Sequence, residues 1–220
     1  MRYYRYAAVF VLALTALLFS GITYVTTPAQ TAAPRTISEA SVVKVTEKDG
    51  HGSGVNIGNG YVITAGHVAD GNAKAKLKTS DGREMDADVL WVNKEYDIAL
   101  LRAVGLPTVG SSLDCRTAKA GEEIQAAGNP MDLEFVSSFG RIAGDVRELG
   151  PWRQVLITDI TIVMGQSGGP VFEADGRVVG ITVGVASATL PGGIIGATPS
   201  LTGFGMVVPS STVCMLMGRA

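Results

Sequence analysis

Residues 165–185 read Gly-Gln-Ser-Gly-Gly-Pro-Val-Phe-Glu-Ala-Asp-Gly-Arg-Val-Val-Gly-Ile-Thr-Val-Gly-Val. Two short apolar runs flank Asp175-Gly176, a dipeptide that favours tight hairpin turns. A serine set among glycines opens the stretch. The runs are too short for amphipathic helices, so the segment reads as a strand hairpin. The same pattern recurs on both sides. Upstream lie apolar or alternating runs at 41–47, 52–58, 61–65, 75–80, 84–93 and 98–103. A second set covers 123–129, 134–146, 154–160, the hairpin at 169–185, and 203–209. No long amphipathic helix separates them, which argues against a doubly wound α/β sheet. The expectation is an all-β fold of two antiparallel six-stranded β-barrels, because closure removes the exposed edges that so many strands would create. A short terminal helix is expected from Ser210 to Met217, capped by Ser210 or Ser211.

The N-terminus differs from this body. Arg2 and Arg5 precede a run over 6–25 that carries no charge. As a helix it would rise about 30 Å, enough to cross a bilayer. Tyr3, Tyr4, Tyr6 and Tyr24 flank it, as interfacial aromatics do. The arginines would keep the N-terminus cytoplasmic and send the remainder across. The segment therefore reads as a transmembrane anchor, or else as a cleaved signal with Ala29, Ala32 and Ala33 as its small-residue site. The expected layout is a membrane or signal segment over 1–25 and a Pro-containing tether over 26–38. A first barrel over 39–108, a linker over 109–121, a second barrel over 122–209 and a terminal helix over 210–220 complete it. The chain would be membrane-anchored with its body periplasmic or extracellular, or secreted if cut.

Composition excludes several classes. The net charge of −2 leaves no basic footprint for nucleic acid. Two cysteines and two histidines without paired spacing argue against a structural metal site. No phosphate-binding or dinucleotide glycine fingerprint appears, so no cofactor is expected.

Three residues carry candidate chemistry. Ser167, with small neighbours, is open to a carbonyl substrate, and the amides of Gly165 and Ser167 can point at one oxyanion. A serine hydroxyl needs a base. His67 follows the apolar strand Tyr61-Val62-Ile63-Thr64-Ala65, whereas His51 lies among glycines and reads as a solvated turn residue. The imidazole needs a carboxylate to fix its tautomer. Asp97 precedes Ile98-Ala99-Leu100-Leu101, where an unpartnered acid would be costly to bury. No histidine follows His67, so the serine–acid–histidine order cannot be built. The order is His67, Asp97, Ser167.

Ile63-Thr64-Ala65-Gly66-His67-Val68, Asp97-Ile98-Ala99-Leu100-Leu101 and Gly165-Gln166-Ser167-Gly168-Gly169-Pro170 together resemble the signature blocks of trypsin/chymotrypsin-fold serine proteases. Gly52-Ser53-Gly54-Val55, Thr158-Asp159 and Gly205-Met206-Val207-Val208-Pro209-Ser210 look like the HtrA-like branch. The resemblance covers residues 40–218. It implies His67 as general base, Asp97 as its orienter, Ser167 as nucleophile, and peptide or protein substrates. A neutral Gln166 replaces the aspartate that trypsin-like enzymes pair with a new N-terminal ammonium, so activation by that insertion is not expected. The sequence stops at Ala220, so the resemblance implies a member without a PDZ domain. By the same resemblance Thr161 lies at the base of the primary pocket, and Val183, Val185 and Met206 line it. That favours a small or medium apolar side chain before the scissile bond, against the plainer reading of Val183 and Met206 as barrel core. Residues 187–202 read either as a mobile loop beside that pocket or as a solvated connector. Cys115 and Cys214 would form a disulfide, or remain two buried thiols; some relatives link the interdomain segment to this end of the chain. Two rival functions stay open: a catalytically silent binding module, and a protease that cuts its own tether.

Overall fold

The computed structural model describes residues 39–48, 50–191 and 196–218. The run over 6–25 and the tether over 26–38 lie outside these residues. Among the described residues no helix is long and apolar enough to cross a membrane.

Two closed barrels of six strands form the body. The first contains β1 (Val42–Glu47), β2 (Gly50–Gly58), β3 (Tyr61–Ala65), β4 (Lys74–Thr79), β5 (Glu84–Asn93) and β6 (Ile98–Arg102). Their order is β1-β2-β3-β6-β5-β4, and β1 closes onto β4 through Val43 opposite Thr79 and Val45 opposite Leu77. Strand β4 shows why the chain takes this form. Its three lysines point outward or lie half-buried while Ala75, Leu77 and Thr79 are buried, the two-residue period of a half-buried strand. Val43, Val45, Val62, Leu77 and Leu101 fill the interior.

The second barrel contains β7 (Glu123–Gly128), β8 (Val136–Leu149), β9 (Trp152–Thr158), β10 (Pro170–Phe172), β11 (Val178–Pro191) and β12 (Ala197–Pro209). Their order is β10-β11-β12-β9-β8-β7, closed by β7 pairing with β10. Ile124, Ile142, Leu156, Val171 and Val207 pack inside it. A third cluster, including Val55, Ile63, Ile98, Phe172 and Ile181, draws on strands of both barrels and joins them. At about 25 cal/mol per Å² of apolar surface, that shared core makes relative movement of the barrels costly.

Two local readings are corrected. Residues 187–202 are not a loop throughout, since β11 and β12 continue as a paired hairpin, with Ser187 opposite Leu201 and Leu190 opposite Thr198. Leu190 and Leu201 are exposed, so no inward face imposed the alternation that marks a half-buried strand. The terminal helix α2 (Ser210–Met217) follows a one-turn helix, α1 (Gly66–Ala69). Its N-cap is Pro209, without a side-chain cap. Ser210 instead donates to the Arg116 carbonyl at 3.2 Å, and Ser211 shares a 2.8 Å hydrogen bond with Thr117. Both hydroxyls are spent on docking the helix.

Candidate active site

Register brings the first two side chains together. Strands β3 and β6 pair with Ala65 opposite Ile98. His67 lies just beyond one partner and Asp97 just before the other. The His67 amide donates to Asp97 Oδ1 at 2.7 Å, and Nδ1 lies 2.8 Å from Oδ2 and 3.1 Å from Oδ1. An ionised carboxylate only accepts hydrogen bonds, so Nδ1 carries the proton and neutral Nε2 is left with a free lone pair. Asp97 holds a left-handed backbone conformation, φ +56°, sparsely populated outside glycine. The hydrogen bonds from the His67 amide and Nδ1 hold the Asp97 side chain in place on that backbone. The Asp97 side chain is 13% exposed and that of His67 50%, so the acid is sheltered while the ring reaches solvent.

Ser167 stands on the loop between β9 and β10, and side chains from the other barrel set that loop. The Ser53 amide donates to the Ser167 carbonyl at 2.8 Å. The Ser53 hydroxyl donates to the Gly165 carbonyl at 2.7 Å and accepts from the Asn129 amide at 2.8 Å. Gln166 is 3% exposed, and each end of its amide side chain has a partner. Oε1 accepts from the Val163 amide at 2.8 Å, and Nε2 donates to Ser138 Oγ at 3.3 Å. Gly165, at φ +91°, turns the chain beside Asn129 and His51 where a side chain would collide. Among the described residues, the amides of Gly165 and Ser167 have no protein acceptor. Two such donors on one turn can hold a negative oxygen.

A cleft of about 390 Å³ is lined by His67 and Ser167 together with Glu47, His51, Val68, Met164 and Gly165. No hydrogen bond joins Ser167 to His67 among the described residues. A second hollow, about 460 Å³, shares His67 and Asp70 with the first and is lined also by Gly66, Lys94, Asp97, Trp152 and Val183.

A family model for the trypsin-like peptidase domain matches residues 52–181. The chain belongs to this family. A probable periplasmic serine endoprotease, DegP-like, from Halomonas elongata is 35% identical over 142 residues, covering 61% of this chain and 29% of that protein. The chain thus spans about a third of the length of the curated relatives it matches. Among solved structures, the active form of the Rv3671c protease from M. tuberculosis is 26% identical, with a TM-score of 0.69 over 80% of this chain and 79% of that one. An HtrA-type protease, AlgW with a tripeptide, is 26% identical, with a TM-score of 0.68 over 82% of this chain and 60% of that one.

The remaining candidate residues of this peptidase domain lie apart in character. Thr161 is exposed, and its carbonyl accepts from Ser138 Oγ at 3.0 Å. Val183 (2% exposed) and Met206 (1%) belong to the shared interior cluster, and Val183 also edges the second hollow. Val185 is half-buried in β11. Cys115 and Cys214 are joined by a disulfide, with Cα atoms 5.6 Å apart. Among the described residues no three His, Cys, Asp or Glu side chains converge as a metal site.

His51 differs from the solvated turn residue expected. It lies within β2, half-buried, and its Nε2 is 3.0 Å from the Asn129 carbonyl. Pairing of β1 with β2 orders the glycines around it, Thr46 standing opposite His51. Other residues around the site were given no role by the sequence. Ser53 and Asn129 support the serine loop, and Trp152 Nε1 donates to Asp97 Oδ2 at 2.9 Å. Glu47 has one carboxylate oxygen buried without a hydrogen-bond partner among the described residues, and burial raises its pKa above the ordinary carboxylate value. These residues come from distant parts of the chain, so no local pattern could join them.

Proposed function

We propose that this chain is an extracytoplasmic serine endopeptidase in which Ser167 is the nucleophile, His67 the general base and Asp97 its orienter. The observation that carries the reading is the paired contact of His67 Nδ1 with the Asp97 carboxylate, which leaves Nε2 bare in the cleft that also holds Ser167. In substrate-free enzymes the nucleophile–base contact is commonly long and tightens on binding.

The chemistry follows from these positions. Ser167 Oγ attacks the peptide carbonyl carbon while its proton passes to His67 Nε2. Negative charge moves to the carbonyl oxygen, where the Gly165 and Ser167 amides receive it. Losing one such donor typically costs ~10²–10³ in turnover. His67 then protonates the departing amine, and the C–N bond breaks to leave an acyl-serine. Water, deprotonated by the same imidazole, attacks the ester and releases Ser167.

The Gln166 amide is committed to Val163 and Ser138, which supports a loop that needs no ion pair with a cleaved N-terminus. For the residue before the scissile bond we favour Val, Ala, Leu or Met. No acid stands at Thr161, and Ile162 packs a methyl group against Gly205 so closely that a side chain there would collide. The periplasmic serine endoprotease relatives support a site of action outside the cytoplasm. Residues 6–25, flanked by Arg2 and Arg5, would tether the domain to the membrane, with protein or peptide substrates reaching it from solution.

A fluorophosphonate probe tests the reading. Labelling of wild type at Ser167, absent in Ser167→Ala and strongly reduced in His67→Ala, is expected. A wild-type chain that folds and takes no label would sink it. A peptide library answering mainly to Arg or Lys would overturn the specificity.

A further inference from the structure

We infer that Trp152 is a positioning residue for the proposed reaction, a latch by which the second barrel holds the carboxylate that the first barrel offers to His67. This inference rests on the catalytic reading above and adds a residue to it.

Asp97 Oδ1 is occupied by the His67 amide, and Oδ2 is shared between His67 Nδ1 and the Trp152 indole N–H at 2.9 Å. The indole is thus the one donor to this carboxylate, among the described residues, that comes from the second barrel. It sits at the start of β9, just after the Gly150-Pro151 turn. The neighbouring residue makes a second link to the same place, because Arg153 pairs with Glu95 on the turn that carries Asp97. The fold has made room for the ring. A Cβ at Gly184 would lie 2.8 Å from both Cζ2 and Cη2 of Trp152, so any other residue at position 184 would push the indole away. The ring also walls the second hollow, which Asp97 lines as well.

The arrangement has two consequences. The N–H fixes the rotation of a carboxylate whose backbone is already in a strained conformation, so the imidazole keeps one orientation. It also takes up part of the negative charge that would otherwise stabilise the imidazolium. The other charged or titratable groups around the pair are the Asp70–Lys94 ion pair at 2.7 Å, the Glu95–Arg153 pair, and His51 and Glu47 across the first cleft.

Trp152→Phe keeps an aromatic side chain at this position and removes the N–H. Turnover per fluorophosphonate-titrated site is expected to fall about tenfold, the size of losing one hydrogen bond to a charged group. The acidic limb of the rate profile is expected to move to higher pH, because the carboxylate then holds the imidazolium more strongly. A purely structural role would lower the number of active sites and leave both quantities unchanged in the sites that remain. The wild-type chain gives an independent readout, since it has two tryptophans. The Trp152 indole N–H resonance should titrate together with the rate, while that of Trp91, whose N–H is buried without a partner among the described residues, should not. If Trp152→Phe fails to fold, Gly184→Ala displaces the same ring and should show the same loss and shift. Unchanged turnover per site with an unmoved limb, or an indole resonance flat through the rate transition, overturns the inference. Wild type that takes no label would instead remove the catalytic reading, and this inference would fall with it.

Discussion

Gly168, the residue after the proposed nucleophile, lies against Thr64 with no space for a side chain between them. Thr64 belongs to β3, the strand that leads into the helical turn α1 carrying His67, and its hydroxyl donates to the Ser53 carbonyl at 2.6 Å. The serine loop of one barrel is thus seated directly on the strand that delivers the imidazole from the other. The two groups proposed for catalysis are carried on segments in close contact, where Gly168 packs against Thr64 Oγ1, the Ser53 carbonyl and the Ala65 amide nitrogen.

A methyl group at this seam tests that statement. Gly168 also sits at φ +86°, so Gly168→Ala combines a steric clash with a left-handed alanine. A loss of about 2–5 kcal/mol in unfolding free energy is expected. Fluorophosphonate labelling should fall further than the folded fraction does, and urea denaturation beside active-site labelling would measure both.

Asp97→Asn preserves shape and removes the charge. An asparagine can present its NH₂ to Nδ1 and so favour the wrong tautomer, leaving Nε2 protonated and unable to accept from Ser167. Turnover is expected to fall ~10³–10⁴-fold with little change in KM. A loss of only a few fold in steady-state peptide hydrolysis would contradict the assignment.

The Cys115–Cys214 disulfide closes a loop over a separation of 99 residues. On the chain-entropy model such a closure contributes up to ~4.7 kcal/mol by restricting the unfolded chain. Reduction, or the paired change Cys115→Ser with Cys214→Ser, should lower the Tm by roughly 10–20 °C. Calorimetry with and without reductant would show it. The labelled fraction below the transition should be preserved, because the bond ties α2 to the interbarrel segment and not to the cleft.

Glu47 gives a pH dependence whose sign can be stated. Burial raises its folded pKa above the ordinary 4.5, so the folded chain resists ionising it. Ionisation costs stability at pH above the raised value. That cost fades as the pH falls toward 4.5, where the folded state takes up the proton first. Glu47→Gln should therefore raise the Tm at pH 7–8 and confer little or no gain near pH 4. An equal gain at both values in a thermal scan would show that charge burial is not its cause.

Much of this architecture was legible along the chain. The two-residue period of β4, the Asp175-Gly176 turn and the order His67, Asp97, Ser167 each depend on near neighbours. Local patterns survive in a sequence because the pleat and the turn impose them residue by residue. The hairpin over 187–202 was obscured for the converse reason. With Leu190 and Leu201 both facing solvent, no buried face forced an alternation on its side chains.

Residue types and their order therefore determined the strands, the barrels and the three groups proposed for the chemistry. Only the folded chain decided what surrounds them: the indole on Asp97, the serine hydroxyl that pins Gly165, and the carbonyl held by His51. Each of these contacts joins residues at least 55 positions apart. Hydrogen bonds and excluded volume act through space, and such pairs leave no mark on the spacing of residues along one chain.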